Sequence, residues 1–390
     1  MISVADALSA LFALVRPLDQ EQVNLRGANG RVLSSDVKAT RNQPPFAASA
    51  MDGYAVKGAD VRTGATFTVI GEAAAGHAFQ DTVPQGGAAR IFTGAPLPKG
   101  TDHVVIQEDV ARVGDVITVQ ADYDQGPYVR PAGADFKVGD RITAPRMLSS
   151  ADVALLASMN IPNVRVTRKP KVAIIATGDE LVQPGETPAP DQIIASNSYG
   201  LAALVESIGA DARMLPIARD NERSLKLALE LAADADLIIT IGGASVGDHD
   251  IVGQVALDMG LDRSFYKVAM RPGKPLMAGR IGNAMLIGLP GNPVSAMVCG
   301  HIFVAPVIKA MLGLDKGPAT THKATLAHKI GANGPREHYM RARIDEDRVT
   351  VFERQDSALL TVLSDANCLL KRTPNEPPRE KGETVEVIYI

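Results

Sequence analysis

The pattern of hydrophobic and polar positions changes character several times along the chain. Val4, Leu8, Leu11 and Val15 recur at spacings of four, three and four. That is the period of an amphipathic helix, and Pro17 ends it. A short strand, "GRVLSSDVKA", follows. Pro44 and Pro45 mark a hinge. Beyond it the segments "ATFTVIGEA", "AARIFTG", "DHVVIQED" and "DVITVQA" alternate or run apolar between turn residues, as strands do. "SSADVALLASMN" then reads as a helix opened by a serine cap. It is expected to pack back on the first helix, so that the β-rich stretch is an insertion.

From 169 onward strands alternate with helices. "KVAIIATG" is a continuous apolar run, as in a strand covered on both faces of a parallel sheet. "SNSYGLAALVESIG" is a helix ending at Gly209, "ARMLPIA" a strand, and "RDNERSLKLALELAADAD" a helix capped by Asp220 or Asn221. "DLIITIGG", "SFYKVAM" and "AMLIGLPG" are further strands. "DHDIVGQVALDMG" and "NPVSAMVCGHIFVAPVIKAMLG" are helices. This alternation predicts a doubly wound α/β unit. "KATLAHKI", "EHYMRARID", "RVTVFER" and "ETVEVIYI" close the chain as short strands. The expected fold is multidomain α/β plus β. A helical unit (1–44 and 141–168) carries an inserted β-rich unit (45–140). An α/β unit (169–313) and a small C-terminal β-barrel-like unit (314–390) follow.

Composition narrows the function classes. A chain of 390 residues is too long for one core. Its net charge of −4 excludes bulk attraction to nucleic acid or to an acidic membrane. The N-terminus lacks a basic start and Asp6 interrupts its apolar run, so it is not read as a signal peptide. Elsewhere no apolar run reaches the ~18 residues that span a bilayer. Two cysteines, Cys299 and Cys368, fit a reducing compartment, and no Cys/His cluster has zinc spacing. A cytoplasmic protein is expected.

In open α/β sheets ligands sit at the carboxyl ends of the strands. One such end, "IIATGDE", presents Asp179 and Glu180. Another is "IITIGGASVGDHD", where Gly242 and Gly243 permit a sharp turn and close approach to a ligand. Ser245 and nearby N–H groups suit phosphate oxygens. Asp248 and Asp250 are compatible with phosphate only through a cation such as Mg²⁺. The same residues also suit ordinary capping of the next helix. In "LIGLPGNPVSA", Asn292 is a cap and Pro293 the first helical residue, leaving the N–H groups of Val294 and Ser295 to face an anion. "RPGKP" is a rigid loop carrying Arg271 and Lys274, which equally suits a solvated turn. In "SAMDGYAV", Asp52 reads either as an Asx-turn aspartate or as a functional one. Thr93 and Gly94 mark a turn in "RIFTGAPLPKG". No histidine pairs with Ser or Cys as a triad would require.

"SAMDGYAV", "TGAPLPKGTDHVVIQED", "IIATGDEL", "TIGGASVGDHD", "RPGKP" and "GLPGNPVSA" together, in this order, resemble the molybdopterin molybdotransferases, the MoeA family, which includes the E domain of gephyrin. The resemblance runs nearly the full length, to "SALLTVLSDANCLLKRTP". It implies insertion of molybdate into adenylylated molybdopterin, with release of AMP and help from Mg²⁺. It also implies a homodimer with the site between one subunit's α/β unit and the other's β-rich unit. By position it implies catalytic roles for Asp52, Thr93, Glu180, Asp220 and Asp250, the last three at the metal. It further implies that Pro290 and Pro293 shape the anion loop, and that Lys274, Arg341 and Ser357 contact molybdate or phosphate. Partners would be small-molecule substrates, with the molybdopterin adenylyltransferase and molybdoenzymes or their chaperones as protein partners. The chain departs from the family at Arg271, Ala244, Ala358, Cys368 and in "GDHDI". Two other classes remain open at this point, a gephyrin-type scaffold without catalysis and the adenylyltransferase of the sister step.

Overall fold

The computed structural model describes residues 1–243 and 251–390. Helix α1, Val4–Leu14, starts at a capping box in which Ser3 and Asp6 bond each other's backbone N–H. Asp6, which breaks the apolar run in the sequence, is therefore the third residue of a helix start. The buried stripe Val4, Ala7, Leu8 and Leu11 packs on the α/β unit, in one core with Phe265, Leu276 and Val307. The helix α2, Ser150–Ser158, capped by Ser149, lies in a different core with Leu33, Phe136 and Val166. The expected packing of these two helices on each other is not met. The apolar stripe of α1 matches the larger α/β core, whereas α2 covers a small four-stranded sheet. That sheet has the order Gln20–Asn24, Asn163–Thr167, Val32–Leu33, Arg146–Met147.

Between the two halves of this unit lies a six-stranded sheet, in the order His103–Ile106, Gly53–Val56, Gly87–Ile91, Thr66–Ala73, Val116–Val119, Val110–Val113. Alternate residues of its strands, among them Tyr54, Phe67 and Ile117, form its core.

The α/β sheet runs Asp211–Met214, Lys171–Ala176, Leu237–Ile241, Ala284–Leu289, Met277–Ile281, Asp262–Tyr266. The first four strands are parallel. Leu237–Ile241 and Ala284–Leu289 are buried at every residue, because helices cover both faces. One face packs α1, α3 (Asn197–Ser207) and the closing helix; the other packs α4 (Glu222–Leu231) and α5 (Ile251–Asp258). The closing helix is continuous from Pro293 to Met311. At mean hydropathy 1.7 it is apolar and long enough to cross a bilayer, yet it is 83% buried in the molecule, which makes it a core helix. In the C-terminal region five strands close into a barrel. Glu337–Asp345 pairs with both Arg348–Val351 and Cys368–Arg372, and His322–Leu326 and Thr384–Tyr389 complete the ring. Met270–Arg271, from the α/β unit, adds to the edge of Glu337–Asp345 and ties the two units together.

Candidate functional site

Three parallel strands end side by side. Thr177 N donates to the Ile241 carbonyl (2.9 Å) and Gly242 N to the Leu289 carbonyl (3.1 Å), so the turns that follow leave the sheet at one level. In the turn after Lys171–Ala176, Gly178 has φ 153°, and a Cβ there would lie 2.4 Å from a Glu180 carboxylate oxygen. Glycine thus leaves room for that acid. Asp220 N donates to Asp179 Oδ1 (3.3 Å), and Arg219 Nη1 to the Asp179 carbonyl (2.9 Å). Surrounding protein first, then the charges of Asp179 and Glu180, hold the Asp220 carboxyl above the ordinary carboxylate range.

In the turn after Leu237–Ile241, Gly242 and Gly243 adopt φ 90° and 62°. A Cβ on Gly242 would lie 2.7 Å from the Thr177 carbonyl oxygen, and one on Gly243 would lie 2.2 Å from the Val252 side chain. Both the backbone conformation and the space call for glycine. Ser245 and Asp250, with the rest of 244–250, lie outside the described residues.

The turn Pro290–Pro293 differs from expectation. Pro293 is the first helical residue, but Asn292 makes no cap bond. The Val294 N–H does not face outward for an anion: Val294 is buried and donates to the Ser357 carbonyl (3.0 Å). Ser295 is buried in the core as well. The physical reason is the barrel, whose 355–358 loop lies against this turn and supplies the missing cap. Asn292 Nδ2 also donates to Ser357 Oγ (3.1 Å).

These turns surround a cavity of about 670 Å³. Of the residues proposed from sequence, Glu180, Asp220, Gly242, Gly243, Pro290, Asn292 and Pro293 line it. Sequence reasoning missed Asn197, Ser198, Ile193 and Ile194 in its wall. "SNS", the N-cap Ser196 and the first two residues of the helix Asn197–Ser207, was the available signal, a polar cluster at another strand-to-helix junction. A cavity of similar size, about 700 Å³, lies between α1 and the barrel and has none of the strand-end turns.

The remaining predicted residues lie off this wall. Lys274 is half-buried and its carbonyl accepts from Val268 N (3.0 Å) and Leu276 N (3.1 Å); Pro275, next to it, reaches the cavity. Arg341 is 1% exposed, and its Nη1 donates to the Asp356 carbonyl (2.7 Å) and its Nε to Gln355 Oε1 (3.3 Å). It holds the loop that carries Ser357 and is not among the cavity-lining residues. Arg271 is in register with His338. Burial, and then Arg271, Arg372, Arg341 and Arg336, push His338 down to about 4, so it is neutral at pH 7. Asp52 lies in the inserted unit, where Thr93 N (2.8 Å) and Thr93 Oγ1 (2.7 Å) both donate to its Oδ1. These bonds, backbone first, and then Arg90 hold Asp52 below the usual range, so it is a firmly ionised carboxylate.

Among the described residues no three His, Cys, Asp or Glu side chains form a metal cage. Mg²⁺ commonly takes one or two carboxylates plus substrate phosphates. Glu180 and Asp220, both lining the cavity, are carboxylates of that kind.

Family comparisons agree along the chain. Residues 2–160 match the "MoeA N-terminal region (domain I and II)", 173–310 the "Probable molybdopterin binding domain" and 323–390 the "MoeA C-terminal region (domain IV)". A molybdopterin molybdenumtransferase of a Nostoc species is 39% identical over 87% of this chain and 81% of its own length. One of Haemophilus influenzae is 34% identical over 95% of this chain and 94% of its own. The crystal structure of a molybdopterin biosynthesis MoeA protein from Pyrococcus horikoshii superposes with a TM-score of 0.85. It has 28% identity and full coverage of both chains.

Proposed function

The chain belongs to the MoeA family, and on that premise we propose that it completes molybdenum cofactor synthesis. It inserts molybdate into adenylylated molybdopterin and releases AMP. The observation that carries this reading is the convergence of three strand-end turns on one cavity rimmed by Glu180 and Asp220. A pterin bearing a pyrophosphate needs room, close backbone approach at Gly242 and Gly243, and acids that face phosphate through a cation. Mg²⁺, held by Glu180 and Asp220 together with Asp250, would supply charge neutralisation on the phosphates. Ser245 and the turn Pro290–Pro293 would orient the phosphate end, with Ser295 packed beneath that turn. Lys274 and Ser357 would supply the positive and polar side of the molybdate site, with Arg341 buried behind it and holding the loop that carries Ser357.

Asp52 and Thr93 belong to the same chemistry only if a second copy brings them to this cavity. We therefore assign a homodimer, with Thr93 fixing one oxygen of Asp52 so that the other faces the partner's substrate. The substrates and the two free cysteines fit a cytoplasmic setting, where the adenylyltransferase and molybdoenzymes or their chaperones are the natural partners. A gephyrin-type scaffold and an adenylyltransferase are less well supported: acids at 52, 180, 220 and 250 have no use in a scaffold, and the relatives matched over nearly their whole length carry the transferase name.

Wild-type protein given adenylylated molybdopterin, molybdate and Mg²⁺ should release AMP, and EDTA should stop the release while the protein stays folded. Absence of AMP would reject the reaction. AMP release that persists in EDTA would reject the metal.

A further inference from the structure

The turn Pro290–Pro293 is a wall of the cavity, and its two prolines restrict only their own φ angles, not how the turn sits against its neighbours. Its cap residue makes no cap bond. Two distant segments hold it. On one side Asn197 Nδ2 donates to the Gly291 carbonyl (2.7 Å). On the other, the Ser357 carbonyl accepts from Val294 N (3.0 Å) and Ser357 Oγ from Asn292 Nδ2 (3.1 Å). The Ser357 loop is itself fixed from within the barrel. Arg341 Nη1 donates to the Asp356 carbonyl, Gln355 Oε1 accepts from Arg341 N (3.0 Å), and Gln355 Nε2 donates back to the Arg341 carbonyl (2.9 Å).

We infer that Asn197 is a positioning residue for the reaction, and that with the Ser357 loop it forms a clamp that sets the shape of the Pro290–Pro293 wall. All three segments place a residue in the cavity lining: Asn197, Gly291 with Asn292, and Ala358. A shift in any one moves the wall. The chemistry gives Asn197 a specific task. An unpaired carbonyl in a wall that receives phosphate and molybdate would repel them, and the amide of Asn197 both fixes and neutralises the Gly291 carbonyl. The barrel thereby becomes part of the site, although it contributes few residues to the lining.

This inference rests on the proposed reaction for its kinetic arm and not for its structural arm. The structural arm is hydrogen exchange of the peptide containing Val294. Asn197→Ala should fold, exchange that amide faster than wild type, and lower kcat for AMP release by about 10-fold or more with little change in KM, since misplacement of a wall acts on the reacting geometry. Asn197→Asp, which sets an acceptor against the Gly291 carbonyl, should be worse than Asn197→Ala; Asn197→Gln, which keeps the donor, should recover part of the loss. The clamp is overturned if Asn197→Ala leaves Val294 exchange unchanged, or if kcat across the three variants simply follows melting temperature. If wild type releases no AMP, the reaction fails while the exchange measurement still decides the clamp.

Discussion

The protein around Asp220 first, and then the charges of Asp179 and Glu180, hold its carboxyl above the ordinary aspartate value of 3.8. The sign of the consequence follows directly. A raised pKa means that the folded state holds the proton more tightly than the unfolded chain. The stabilising contribution is complete below pH 3.8 and is lost as pH rises through the folded value. At neutral pH the ionised Asp220 is a net cost in the metal-free protein. Asp220→Asn should therefore raise the melting temperature of metal-free protein at pH 7, with the gain vanishing in acid. The same change should lower AMP release on the order of 100-fold, the usual scale for a lost electrostatic group at a reacting centre. Thermal melts at both pH values and one rate measurement check this. A variant that is less stable at pH 7, or equally active, would contradict the assignment. The cost at this residue is what is expected of a site built to bind a charged partner.

At the scale of elements, much was legible because apolar runs of one period mark one kind of structure. The run "KVAIIATG" and the spacing of Val4, Leu8 and Leu11 are local signals, and both elements form where they point. Other features depend on distant residues and could not be read locally. The partner of α1 is chosen by the shape of the α/β core, and the Val294 N–H is spent on Ser357, 63 positions away in the barrel. The strand Met277–Ile281 went unread although "RIGNAM" carried its signal. Gly282 and Asn283 form a two-residue hairpin loop between Ile281 and Ala284, with Gly282 at φ 55°. That glycine gives a control for the site. Gly243→Ala must meet a left-handed backbone and the Val252 side chain together, whereas at Gly282 nothing lies within 4 Å. Each substitution should cost about 1–2 kcal/mol for the backbone alone. Gly243→Ala should cost more and lose AMP release; Gly282→Ala should keep it. Denaturant melts and the AMP assay on both variants test this, and equal effects at the two glycines would remove the role given to the turn at Gly243.

At the scale of the whole molecule, Asp52 and Thr93 are not among the residues that line the α/β cavity. The α/β cavity holds Glu180 and Asp220, and the inserted unit holds Asp52 with its Oδ1 bound to Thr93. The family resemblance places Asp52 and Thr93 on the partner subunit's side of the proposed site, and a cavity lining that includes neither agrees with that placement. In the proposed homodimer the two halves of the site would meet across the subunit interface. A heterodimer with Asp52→Asn in one subunit and Asp220→Asn in the other, made by co-expression with two tags and purified through both, tests this and the reaction at once. If each site takes Asp52 from one copy and Asp220 from the other, one site is doubly altered and the other is intact. The homodimeric variants should then be nearly inactive, and the heterodimer should release AMP at about half the wild-type rate, as two-fold symmetry requires. A heterodimer as inactive as its parents, or a chain that never forms the dimer, would contradict the account.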